Sequence, residues 1–155
     1  MKQISVFLGG PIQYILGDSG SIEYEKRKVI QMLVDTLVAD NIRVFSAHIA
    51  EGFGDNIPEK RKICQRDFEW MQKCDVFCLL LLPGEKDFIR SDGSCIELGW
   101  AFAEKKPIVI ITDPDMLCKT SALLHGLVLE SEARVLSIND IIENPNFLSK
   151  VLRDK

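Results

Sequence analysis

The sequence has no basic tract. Its 19 Lys and Arg residues are outnumbered by 23 Asp and Glu, giving a net charge of −4, and nowhere do they cluster enough to neutralise a phosphate backbone. That excludes a general nucleic-acid surface, although one small anion held by backbone N–H groups stays possible. The five cysteines, at 64, 74, 78, 95 and 118, are odd in number and include no C-x-x-C pair. They read as reduced, mostly core-filling thiols of a cytoplasmic protein. No basic segment followed by an apolar one opens the chain, so no signal peptide is expected. The longest apolar run, about Val76 to Leu82, is far too short to span a bilayer, and no membrane partner is expected. The only two histidines, His48 and His125, lie far apart without ligand spacing, so no metal is implied, and no organic cofactor either. Repeats, low-complexity tracts and linkers are also missing. The 155 residues fit one domain, 1–155, long enough to bury a real core.

What is present is alternation. ISVFL (4–8), IRVFS (42–46), DVFCLLLL (75–82), IVIIT (108–112) and ARVLSI (133–138) predict five strands, the third buried on both faces. Between them lie amphipathic stretches. Ser21 is expected to cap a helix carrying Val29, Ile30, Leu33, Leu37 and Val38 at helical spacing. Pro58 suits the first turn of a second helix, running to about Lys73. A third follows Ser94 to about Lys105, a fourth covers Ser121–Leu127, and a terminal helix starts near Asn139. Strand–helix alternation of this kind implies an α/β fold, a single-domain, flavodoxin- or Rossmann-like doubly wound sandwich around a five-stranded parallel sheet. Ligands of such sheets sit outside the carboxyl ends of the strands, where strand order reverses. The loops expected there, GGPIQYILGDSG, AHIAEGFGDN, PGEKDFIRSDGS and TDPDMLCKT, hold most of the ten glycines.

Three segments carry candidate chemistry. In FLGGP (7–11), Gly9 and Gly10 let a ligand approach the main chain and leave N–H groups free to face it; a plain tight exit from a strand explains them as well. In SAHIAEGFG (46–54), His48 either meets a planar base or is satisfied by a backbone carbonyl. The third is SDGSCIELGWAFAEKKP (91–107) together with DFEWMQKCDVF (67–77). Glu97, near a helix start, is expected to be held as an anion of low pKa by the helix dipole. Such a carboxylate suits attack at the anomeric carbon of a sugar through a positive, oxocarbenium-like transition state. Asp67 on the preceding helix is the complementary acid for the departing group. The bland readings are a helix-start glutamate and a solvated surface aspartate.

Taken together, FLGGP, AH-x-x-E-x-x-G (47–54), D-x-E-W-x-x-x-C-D (67–75) and S-x-G-x-x-x-E-x-G-x-A (91–101) resemble the nucleoside 2-deoxyribosyltransferase superfamily over nearly the whole chain. The resemblance implies a small-molecule nucleoside or nucleotide substrate and Glu97 as nucleophile. It departs from the transferases at Ser91, where they carry an aspartate that holds the nucleoside 5′-hydroxyl; Asp92 lies next door. A serine hydroxyl and the N–H groups of Gly93 and Ser94 are suited to a 5′-phosphate instead. VFLGGP and E-x-G-W-A are closest to the CMP and hydroxymethyl-CMP hydrolases among the nucleoside 5′-monophosphate N-glycosidases. Phe7 stands where other members of that branch have a tyrosine near the nucleophile, and Gln13 where these relatives have an arginine. Arg90 is a candidate replacement cation. SALLHG (121–126) resembles the region that completes a neighbour's active site, so Ser121 is a candidate phosphate donor across a homodimer or larger homo-oligomer. The implied activity is N-glycosidic hydrolysis of a nucleoside 5′-monophosphate, CMP-like pyrimidine nucleotides favoured, to free base and (deoxy)ribose 5-phosphate. The alternatives are a 2′-deoxyribosyltransferase exchanging bases and, in another class, a non-catalytic nucleotide sensor.

Overall fold

The computed structural model describes residues 3–84, 89 and 91–154. Alternation with period two, both phases apolar, decides its sheet. In β1 (Ser5–Gly9) Val6 and Leu8 join one core layer and Phe7 the other. β2 (Arg43–Ser46) pairs with β1 on one side. On the other, β3 (Val76–Leu80) gives Val76, Cys78 and Leu80 to the first layer and Phe77 and Leu79 to the second. β4 (Ile108–Thr112) splits Val109 and Ile111 from Ile108 and Ile110 in the same way. β5 (Arg134–Ser137) closes the sheet. A strand buried on both faces needs a helical layer on each.

The helices supply those layers. They are α1 (Tyr24–Ala39), the single turn α2 (Ala47–Ala50), α3 (Lys60–Lys73), α4 (Asp92–Ala103), α5 (Ala122–Glu130), α6 (Ile138–Glu143) and α7 (Asn146–Arg153). Ile30 and Leu33 of α1, Ile141 of α6, and Leu148 and Leu152 of α7 pack on the first face. Met71 of α3, Leu98 and Ala101 of α4, and Val128 of α5 pack on the second. All pairings are parallel, in the order β2-β1-β3-β4-β5. The α/β doubly wound class expected from the sequence is therefore observed. Strand order reverses between β1 and β3, and the crevice of such a sheet opens at their carboxyl ends.

Several boundaries differ from expectation, each for a local reason. Ser21 does not cap α1; its hydroxyl pairs with Asp55. The bridge between Leu16 and Ile22, and the bond from Ile22 N–H to the Phe53 carbonyl, hold that stretch extended, so the helix starts later. α3 begins after Pro58, where the Glu59 carboxylate accepts from the Arg61 N–H at 3.1 Å. α4 begins at Asp92, with Ser91 rather than Ser94 before its first turn. The terminal helix is two, the second entered through Pro145, and Pro114–Lys119 forms an unexpected 3-10 segment. All five cysteines are free, but only Cys74 and Cys78 are buried. The core-filling reading thus fails for Cys64, Cys95 and Cys118. No helix among the described residues is long and apolar enough to cross a membrane. Arg90 lies outside the described residues.

Candidate active site

Glycine follows β1 because of what closes over it. A Cβ on Gly9 would lie 2.5 Å from Glu97 Oε2 and 3.0 Å from the Phe77 ring. On Gly10 it would meet the Leu80 carbonyl at 3.1 Å and His48 Cε1 at 3.3 Å. The glycines thus allow α4 and the exit of β2 to pack against bare main chain. Gly9, Gly10, Glu51, Ser91, Gly93 and Glu97 are among the residues lining a cavity of about 470 Å³ at this carboxyl edge.

Glu97 sits in the second turn of α4, beyond the first-turn reach of the helix dipole. It is buried, and its Oε2 has no hydrogen-bond partner. Burial, followed by the charges of Asp67 and Glu51, holds its carboxyl well above the usual range, with Arg66 opposing. The expected low pKa is therefore wrong. The physical reason is that the helix starts at Asp92 rather than after Ser94, which moves Glu97 off the positive helix end, where burial dominates instead.

Asp67 is no solvated surface charge. It is 7% exposed, and Arg66 Nε donates to its Oδ1 at 2.8 Å. Burial raises its pKa, with Arg66 pulling the other way. The same guanidinium donates from Nη2 to Glu51 Oε1 at 2.7 Å and rests 4.7 Å above the Trp70 ring. Burial works against the Arg66 charge, but the hydrogen bonds to Asp67 and Glu51 outweigh it and raise its pKa further. Arg66 was not singled out in the sequence, nor was Lys60 in the cavity wall. For Lys60 the available signal was spacing, since Lys60 and Ile63 fall on one face of α3 at i and i+3 and both line the cavity; Asp67, one turn further on, is not part of the lining.

His48 is fully buried. Its Nε2 lies 3.0 Å from the Pro11 carbonyl, which can only accept, so Nε2 carries the proton and Nδ1 faces the Ser46 hydroxyl at 3.5 Å. It stands behind the Gly9–Pro11 loop and is not part of the cavity lining; of the two readings open in the sequence, the geometry is that of the carbonyl-satisfied one. Burial, only partly offset by the Pro11 bond, lowers its pKa to about 4. The unfolded chain therefore takes up a proton here at higher pH than the native one does. Stability due to this residue is complete above about pH 6.5 and is lost as pH falls to about 4, some ~3 kcal/mol in all. Urea unfolding across that range should show the loss, and His48→Gln, which keeps a donor to Pro11, should flatten it. An unchanged slope in the variant would assign the acid sensitivity elsewhere.

Phe7 is likewise away from the cavity. It is fully buried and meets Phe77 and Trp70 edge-on at 5.5 and 5.8 Å, forming the floor under the site rather than its wall. Ser91, Asp92, Gly93 and Ser94 all line the cavity. Ser91 Oγ accepts from the Ser94 N–H at 3.4 Å and also touches the Ser94 hydroxyl, a helix cap that claims one of the N–H groups expected to face a phosphate. Ser121 caps α5, accepting from the Leu124 N–H at 3.2 Å, and does not reach the cavity of its own chain. No group of three or more His, Cys, Asp or Glu among the described residues is placed to hold a metal ion. A second cavity, of about 480 Å³, opens at the amino ends of the strands beside Ile4, Val76, Pro107 and Leu152. Its carboxylates are Asp75 and Asp154, against Glu51, Asp92 and Glu97 at the carboxyl edge.

Among solved structures, the Clostridium botulinum CMP N-glycosidase BcmB is similar at TM-score 0.61 and 22% identity, over 95% of this chain and 97% of that one. BlsM is similar at TM-score 0.70 and 26% identity, over 89% and 82%. A conserved protein from Enterococcus faecalis V583 is similar at TM-score 0.61 and 16% identity, over 92% and 96%. At such identities the first and third support the fold alone. A comparison with curated protein sequences finds no match. The sequence profile described as nucleoside 2-deoxyribosyltransferase matches residues 6–138, and this chain belongs to that family.

Proposed function

We propose that the protein is a nucleoside 5′-monophosphate N-glycosidase, hydrolysing a CMP-like pyrimidine nucleotide to free base and (deoxy)ribose 5-phosphate. One observation carries the reading. A buried carboxylate with an unpartnered oxygen, Glu97, shares one cavity with the Ser91–Ser94 turn at the start of α4. A sugar phosphate bound there would set its phosphate on the turn and its anomeric carbon toward the carboxylate.

In this mechanism Glu97 Oε2 attacks C1′ as the bond to the base breaks. The bond pair leaves with the base, which takes a proton from Asp67. Water then attacks C1′, Glu97 departs as carboxylate, and the water's proton returns to Asp67. Burial shifts the Asp67 pKa upward, the direction a proton donor requires. Crowded carboxylates favour a cationic transition state over the neutral ground state. Ser91, Gly93, Ser94 and the Gly9–Gly10 loop bind phosphate, and Lys60 adds positive charge at the rim.

Base transfer is the second reading, favoured by Asp92 in the cavity wall, where a carboxylate can hold a 5′-hydroxyl. Chromatographic base release from nucleosides and their 5′-monophosphates, with and without a second free base, separates the two. Release from CMP or dCMP but not cytidine supports hydrolysis. Turnover of unphosphorylated deoxynucleosides only when an acceptor base is added supports transfer and removes the phosphate clamp.

The working unit we propose is a homodimer in which Ser121 reaches a neighbour's phosphate. Leu123 and Leu129 beside it on α5 are 83% and 68% exposed, and Ile96 on α4 is 55% exposed. A monomer mass by analytical ultracentrifugation at working concentration would remove Ser121 from the site.

A further inference from the structure

Three carboxylates from three parts of the chain surround one guanidinium: Glu51 after α2, Asp67 on α3 and Glu97 on α4. The mechanism above uses two of the acids and leaves Glu51 and Arg66 without a task. We propose that Arg66 is a positioning residue. Its fork fixes Glu51 in the cavity wall and Asp67 beside Glu97, and its charge is what lets Glu97 be an anion with two other acids close by. The kinetic part of this proposal rests on the glycosidase reading; the structural part does not.

The geometry is a clamp rather than a surface pair. Two different edges of the guanidinium serve two carboxylates, Nε to Asp67 Oδ1 at 2.8 Å and Nη2 to Glu51 Oε1 at 2.7 Å. Both acceptors are buried, and the Arg66 side chain is itself only 19% exposed. Exposed ion pairs contribute little, but removing the cation between buried acids leaves uncompensated charge. The platform is also fixed. Arg66 lies on Trp70, and Trp70 stacks on Phe45 of β2 at 5.8 Å and meets Phe7 of β1 edge-on. The guanidinium is therefore aligned through Trp70 by β1 and β2, and it transmits that alignment to the two acids. Lysine carries the charge but not the fork.

The other groups around Glu97 do not replace it. The β1 exit contributes only Gly9 and Gly10, His48 is neutral behind them, Asp92 at the start of α4 adds a further negative charge, and Lys60 stands at the outer rim of the cavity. Arg66 lowers the Glu97 pKa, whereas Asp67 and Glu51 raise it.

Two readouts test the role. The first follows the carboxyl carbons of glutamate-labelled protein by NMR against pH, with Glu97 assigned by its loss in Glu97→Gln. In Arg66→Gln the Glu97 titration should move to higher pH, and in Glu51→Gln, which removes a negative neighbour, to lower pH. A Glu97 titration unmoved in both variants overturns the proposal, and Glu51→Gln keeps it testable should Arg66→Gln fail to fold. The second is kcat and KM for base release against pH. Arg66→Gln should shift the acid limb of kcat upward and lower kcat at neutral pH about tenfold or more, with KM changed far less. Arg66→Lys should restore the limb more than it restores kcat, because charge returns without alignment. A variant with a lower melting temperature but an unmoved acid limb shows a merely structural arginine and also overturns the proposal. Should no base release occur even from the unsubstituted protein while the Glu97 titration shifts as expected, the clamp stands and the glycosidase reading falls.

Discussion

Glu97→Gln is expected to cut base release by at least ~10⁴-fold, the scale of losing a covalent nucleophile, while making the fold more stable. The two effects share one cause. The carboxyl is buried with Oε2 unpartnered, and its folded pKa is raised. Below the unfolded glutamate pKa both states hold the proton, and the substitution changes little. As pH rises past that value the unfolded chain ionises freely but the native one resists, so native stability falls until Glu97 itself ionises. Glutamine has the same shape and never incurs this cost. Thermal unfolding should therefore show a gain for the variant at about pH 8 that shrinks toward zero near pH 4. A variant less stable than the parent at both would mean that Glu97 is not an uncompensated buried acid. A variant that still releases base at the parental rate would end the nucleophile assignment.

Gly9→Ala is expected to be the second most damaging change, although it adds one methyl. The new Cβ would lie 2.5 Å from Glu97 Oε2 and 3.0 Å from Phe77, and Phe77 is fully buried against Phe7, so the ring has little room to yield. The softer neighbour, Glu97, is the one displaced. Overpacking of this kind costs about 1–3 kcal/mol of stability, and displacing a reacting group by about 1 Å costs on the order of 10²-fold in rate. Loss of kcat with KM nearly unchanged, and a folded protein by circular dichroism, is the expected pattern. Full activity would show that α4 can shift and that the close approach is incidental. Gly99 is the control, since a Cβ there meets nothing within 4 Å and Gly99→Ala should leave activity intact.

The fold was legible because apolar runs such as those of β3 and β4 bury both phases of their alternation, which only a covered parallel sheet allows. The strands came out within a residue or two of their expected ends. Helix starts were harder to read. Ser21 looks like a cap, but the Leu16–Ile22 bridge and the Phe53 carbonyl claim that segment, and Phe53 is far from it in sequence. That same distance hid the electrostatics of the site. Glu97 was found as a residue, yet its environment depends on Asp67 and Glu51, which lie 30 and 46 positions away. Arg66 next to Asp67 reads as an ordinary surface cation until the fold places Glu51 on its other edge. His48 shows the converse. Its identity suggested a ligand contact, and only the position of the Pro11 carbonyl reveals its structural bond.

The strand order has a consequence for how the protein comes into being. Of the strands of this sheet β1 is synthesised before the others, yet it lies between β2 and β3. Its Gly9 has no carboxylate above it until the chain has been extended to Glu97. A chain ending before that residue lacks the carboxylate, so on the proposed mechanism activity arises only when the β3–α4 unit closes over a segment made nearly ninety residues earlier.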